Sequence, residues 1–239
     1  MGLVFFGVLI AASLQKMPLP LSLPALLIDA VDAWEHECGH AITGIIFGIF
    51  SVPLLMLTLP FPYSWTFQIV VWIALIGGCI YTYLKKREIF IGAVIFTIIA
   101  IALSFTPYTD LIISYMGHGG AILFGGFFMY KAWAYKGDNI FNQIFIAIIG
   151  VAPIINNIIF CYNLSISADA RGKYTFSSFL AGVHNDFSKI SLQTSLTVQQ
   201  IAIFTIILAI VVTVTAFLLA IFPASVKDKP DADSSYKLL

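Results

Sequence analysis

Residues 34–41 read Trp34-Glu35-His36-Glu37-Cys38-Gly39-His40-Ala41, inside an apolar run that covers about 22–50. Such a run is long enough for a helix through a hydrocarbon core about 30 Å thick. Two imidazoles four residues apart stand one helical turn from each other, on one face, with Glu37 beside them. An ionised side chain in the middle of a membrane span costs roughly 2.5–3.5 kcal/mol on insertion scales unless something compensates it. Glu37 between two histidines therefore calls for a partner, and a metal ion is one that satisfies the lone pairs and lowers the net charge of the group.

The surroundings support a membrane setting. Of 239 residues, 60% are hydrophobic and only 10% charged, against roughly 25% charged in a soluble domain, and mean hydropathy is +0.97. Apolar runs occur at about 3–14, 22–50, 64–84, 88–105, 110–130, 140–166 and 200–222, separated by Pro18 and Pro20, Pro60 and Pro62, Lys85-Lys86-Arg87-Glu88, Pro107, and the stretch from Lys131 to Asp138. The reading is an all-α, polytopic transmembrane helical bundle of about six spans plus a short N-terminal segment. Residues 1–223 form one membrane-embedded domain on this reading, and 224–239 a polar, disordered tail. Residues 167–199 read as a sizeable loop, on the face opposite the basic clusters at 85–87 and 131–136.

Composition also excludes. Net charge is zero, and the 12 Lys and Arg are scattered, so no basic stripe is present to hold a phosphate backbone and nucleic acid is not an expected partner. Cys38, Cys79 and Cys161 form no close-spaced pair, which argues against a disulfide framework or a cysteine zinc cluster. The first residues lack a basic n-region and a small-residue cleavage site, and read as a retained or interfacial segment. The 21 Phe are spread through every run and mark no cofactor pocket.

In a helix, the His-Glu-x-x-His spacing suits zinc with the glutamate as general base. Zinc in a catalytic site takes three protein ligands, so a third must come from elsewhere. His118, in Met116-Gly117-His118-Gly119-Gly120, and His184, in Gly182-Val183-His184-Asn185-Asp186-Phe187, are the remaining histidines; Asp110, Asp169 and Asp186 are the carboxylates near apolar segments. The glycines around His118 fit either a helix-packing seam or a site where a ligand or polarising group sits. Asn156 and Asn157, after Pro153, are candidates for binding substrate or an oxyanion, or for interhelical hydrogen bonds. Asp32 shares the face of His36 and is a candidate to orient it. Trp34 and Glu35 read as interfacial residues, and Gly44 and Gly48 as a close-packing helix face.

His36-Glu37-Cys38-Gly39-His40, with Ala41 and the run Thr43-Gly44-Ile45-Ile46-Phe47-Gly48, resembles the site-2 protease class of intramembrane zinc metallopeptidases. The chain is also similar to a bacterial group of related membrane proteins in its order of Asn156-Asn157, Ala168-Asp169-Ala170-Arg171 and His184-Asn185-Asp186-Phe187. The resemblance implies a bound Zn²⁺ held by His36, His40 and Asp186, with His184 and His118 as rivals of Asp186. It implies Glu37 as the catalytic base, a membrane-protein or peptide substrate cleaved within or beside the bilayer, and a bacterial inner membrane as location. The Asp lacks the following glycine of the Leu-Asp-Gly motif in that class. The alternative function is a non-catalytic protein that transports or senses a divalent ion, for which Glu37→Gln would be harmless.

Overall fold

The computed structural model describes residues 22–55, 57–134, 140–180 and 185–221. His184, the 3–14 run and the 224–239 tail lie outside them. The described residues form eight helices and one β-hairpin: α1 Leu23–Ile46, β1 Ser51–Pro53, β2 Thr58–Pro60, α2 Trp65–Lys85, α3 Arg87–Ser104, α4 Thr109–Ala134, α5 Ile140–Ile166, α6 Ala168–Leu180, α7 Asp186–Gln193 and α8 Val198–Ile221.

Five of these, α2, α3, α4, α5 and α8, are long and apolar enough to cross a membrane. The protein is a multi-pass integral membrane protein with an all-helical bundle. α1 has the length of a span, 24 residues, but it carries Asp29, Asp32, Glu35, Glu37 and two histidines. It is the sixth helix of the sequence reading. Side chains such as Ile73, Leu84 and Ile91 on α2 and α3 are more than 60% exposed; in water this would be a large apolar patch, and in lipid it is the expected face.

α1, α4, α5 and α8 pack together, whereas α2 and α3 pair mainly with each other. Backbone proximity sets the α1–α4 crossing. A Cβ on Gly120 would stand 2.6 Å from Gly39 Cα, and one on Gly39 would strike the Met116 carbonyl. Because neither residue has a side chain, the two helices meet backbone to backbone, as small residues allow in membranes. Further along α4, Gly125 faces the Gly150 carbonyl of α5 and Gly126 faces Val212 of α8. Ile28, Ile122, Val151, Ile155 and Ala209 fill the centre between them.

Gly44 and Gly48 have a different task from the helix packing expected of them. A Cβ on Gly44 would meet Ser51 Oγ, and Gly48 has φ +79°, which a glycine adopts without strain. They shape the turn from α1 into the hairpin, where Ser51, Val52 and Pro53 pair antiparallel with Pro60, Leu59 and Thr58. Gln68 of α2, fully buried, donates from Nε2 to the Ile46 carbonyl at 2.9 Å and satisfies one of the open acceptors at the end of α1.

The expected loop 167–199 contains two helices instead. Ser167 Oγ accepts from Ala170 N at 3.1 Å, starting α6, and Arg171 reaches back to the Leu164 carbonyl at 2.8 Å. The Ala168-Asp169-Ala170-Arg171 segment is thus the first turn of α6, and Asp169 pairs with Lys173 at the surface at 2.7 Å. α7 is short but amphipathic. Phe187 and Ile190 bury against Cys161, Leu164, Ile201 and Ala202, which anchors the helix beside the bundle and fixes its first residue, Asp186.

Candidate metal centre

α1 crosses α4 in opposite directions, so His40 stands opposite Ile113 and His36 opposite Gly117. His40 Nδ1 lies 2.7 Å from the Ile113 carbonyl oxygen. A carbonyl only accepts, so this nitrogen carries the proton and Nε2 keeps its lone pair. That is the tautomer a metal-ligating histidine has when its second nitrogen is held by the protein.

The lone pair points at two other donors. His40 Nε2 lies 3.1 Å from His36 Nε2 and 3.1 Å from Asp186 Oδ2, and His36 Nε2 lies 3.0 Å from the same oxygen. Three ligand atoms therefore form a near-equilateral triangle. An ion about 2.0–2.1 Å from each of three tetrahedral ligands spaces them about 3.3 Å apart, so the triangle fits zinc with a slight opening. Zinc takes a carboxylate oxygen alongside imidazole nitrogens, so Asp186 completes a donor set of the right chemistry.

Space for the ion is left by a glycine. A Cβ on Gly117 would stand 2.5 Å from His36 Nε2, 2.6 Å from His36 Cε1, and nearer still to His40 Nε2. The hollow above the two nitrogens is where a side chain at 117 would go. The donor set and the hollow together fit a small divalent ion.

Glu37 is fixed by a residue the sequence gave no reason to single out. Thr58 Oγ1 on β2 lies 2.7 Å from Glu37 Oε2 and 2.9 Å from the Glu37 carbonyl oxygen, so the hairpin holds the carboxylate in place. His36, Glu37, His40, Thr58 and Asp186 share the wall of a cavity of about 670 Å³ with Tyr174 and others. Burial pushes the Tyr174 phenol above its usual range, so it stays protonated.

His118 also lines the cavity. It belongs to a wider group with His36 and Asp186, whose ligand atoms lie within 4.8 Å of one another. His40 is the tighter neighbour of that pair, as the 3.1 Å separations show, and the compact triangle is therefore His36, His40 and Asp186. Asp110 stands on the cavity wall, Asp169 in its surface pair.

The two asparagines make interhelical hydrogen bonds, the second of the two readings open for them in the sequence. Asn156 Nδ2 donates to Asp29 Oδ1 at 3.2 Å, and Asn157 Nδ2 donates to Asp32 Oδ1 at 3.3 Å and to the Pro153 carbonyl at 2.8 Å. Their amides are committed to α1 carboxylates and the α5 backbone. Asp32 thus accepts from Asn157 across the α1–α5 contact. Glu35 is not interfacial: it is 1% exposed, and among the described residues neither carboxylate oxygen has a hydrogen-bond partner. It lies one turn before Gly39, on the face turned to α4, whereas Trp34 is half exposed as expected. The cysteines are free thiols.

Comparison of the chain with family models, with curated proteins and with solved structures returns no match.

Proposed function

We propose that the protein is a membrane-embedded zinc-dependent hydrolase, a peptidase acting on transmembrane or juxtamembrane segments of other membrane proteins. The observation that carries this reading is the triangle of His36 Nε2, His40 Nε2 and Asp186 Oδ2, with sides of 3.0–3.1 Å, beside a tethered Glu37. The resemblance of the His36–His40 segment to site-2 proteases supports the same reading and points to a bacterial inner membrane.

When bound, the ion supplies a Lewis acid that polarises a carbonyl and acidifies water. Glu37 takes the proton from the attacking water and hands it to the leaving nitrogen. Thr58 keeps the carboxylate turned toward the cavity. The cavity admits water and an extended segment, and a helical substrate has to unwind to enter, because its carbonyls are otherwise occupied by its own amides.

The test compares purified wild type with Glu37→Gln for zinc content and for cleavage of candidate membrane substrates. The hydrolase reading expects zinc in both and cleavage only by wild type. Equal cleavage by the two proteins refutes it, and intact metal transport by the variant would favour an ion-handling role instead.

A further inference from the structure

His118 is held in a way that a packing histidine does not require. Its Nδ1 lies 2.7 Å from Asn157 Oδ1. Asn157 has no freedom to flip, since its Nδ2 faces the Pro153 carbonyl, which can only accept, at 2.8 Å. The amide oxygen must therefore face His118, and His118 must carry its proton on Nδ1. The unprotonated Nε2 is left on the opposite side of the ring.

Apolar contacts fix that ring. Phe160 stacks on it at 5.1 Å with planes 9° apart, and Phe187 lies 4.5 Å away. Among the described residues no hydrogen bond reaches Nε2, yet His118 borders the cavity. Its ring stands edge-on to His36 at 4.6 Å, and it offers a ligand atom within 4.8 Å of those of His36 and Asp186. Phe187, which follows Asp186, buttresses the same imidazole, so α7 places one ligand and steadies another.

We propose that His118 is a fourth protein ligand, which joins His36, His40 and Asp186 when zinc is bound. The proposal rests on the metal-binding part of the function proposed above and deepens it. Asp32 and Asn157 are positioning residues that present Nε2 to the ion, the outer support that metal-bound histidines receive from carboxylates and amides. Three imidazoles and a carboxylate would fill a four-coordinate zinc site, and water or substrate would then be admitted by expansion to five ligands, as catalytic zinc allows.

Zinc K-edge X-ray absorption on the zinc-loaded protein in detergent micelles counts the imidazoles directly. Wild type is expected to show three imidazoles and one oxygen, and His118→Ala two imidazoles with zinc still bound. Asn157→Leu, which removes the orienting acceptor, is expected to weaken zinc by about 10–100-fold in chelator competition. Two imidazoles in wild type and the same number in His118→Ala overturn the proposal while leaving the triangle intact. Wild type that binds no zinc overturns the triangle itself. The wild-type count decides the matter even if a variant fails to fold.

Discussion

Replacing Gly117 by alanine puts the metal hollow to a direct test. The new methyl would stand 2.5 Å from His36 Nε2 and 2.6 Å from His36 Cε1, and closer to His40 Nε2. An ordinary carbon–nitrogen contact needs about 3.4 Å or more, so α4 or the imidazoles must yield by about 1 Å. Overpacking of this kind costs about 1–3 kcal/mol. The apo protein can relax by turning the imidazoles away; the loaded protein cannot, because both nitrogens have to stay about 2.0–2.1 Å from the ion. The strain therefore falls on the bound state, and at 1.4 kcal/mol per tenfold zinc affinity should drop by about 5–150-fold or more. Chelator competition with metal analysis measures this. Gly77→Ala is the control, since a Cβ there meets nothing within 4 Å and the change should leave zinc untouched. If Gly117→Ala binds zinc as wild type does, the ion does not sit against α4 and the geometry argued for the site is wrong.

Other perturbations separate the parts of the site. Thr58→Val should keep zinc and lower turnover about 10–150-fold, by loss of a hydrogen bond to a charged group worth about 1.5–3 kcal/mol; Thr58→Ser should restore it, and a loss confined to KM would count against a positioning role. Asp186→Ala should weaken zinc binding markedly in chelator competition while circular dichroism stays helical; an affinity equal to that of wild type would remove Asp186 from the ligand set. Gly39→Ala drives a methyl into the Met116 carbonyl and should lower thermal stability by about 1–3 kcal/mol, read as a drop in Tm in detergent, whereas an unchanged Tm would mean that the α1–α4 crossing is not tight.

Much of this architecture was open to reading because the bilayer constrains it. With no water to satisfy backbone groups, long apolar runs bounded by charge and proline have to become helices, and α2, α3, α4, α5 and α8 follow the runs seen in the sequence closely. His36, Glu37 and His40 were legible for the same reason, since their spacing has meaning only on a helix. Asp186 came from resemblance, and its position on the ligand triangle depends on α7, an eight-residue helix that polar composition disguised as loop. Thr58 and Ile113 had no signal, and Gly117 stood out only as one of the glycines around His118. Thr58 acts through strand pairing across a turn, Ile113 through its backbone carbonyl, and Gly117 through the side chain it lacks. Glu35 was misjudged because a charged residue next to a tryptophan looks interfacial until the Gly39–Gly120 contact reveals which face of α1 is covered. Asn156 and Asn157 look alike in sequence as possible substrate contacts, and only the register between α1 and α5 assigns them to Asp29 and Asp32.

The separation of the ligands along the chain has a consequence for biosynthesis. His40 and Asp186 are 146 residues apart, and the four helices α2 to α5, each long and apolar enough to cross a membrane, lie between them in the chain. A nascent chain that has inserted α1 holds two histidines and a glutamate with nothing to complete them, and only after α7 has docked through Phe187 and Ile190 is the third donor delivered. On the proposed reading, the ligand set is complete only once α7 has docked, so an ion could be held, and Glu37 given a bound water to activate, only after most of the bundle is in place.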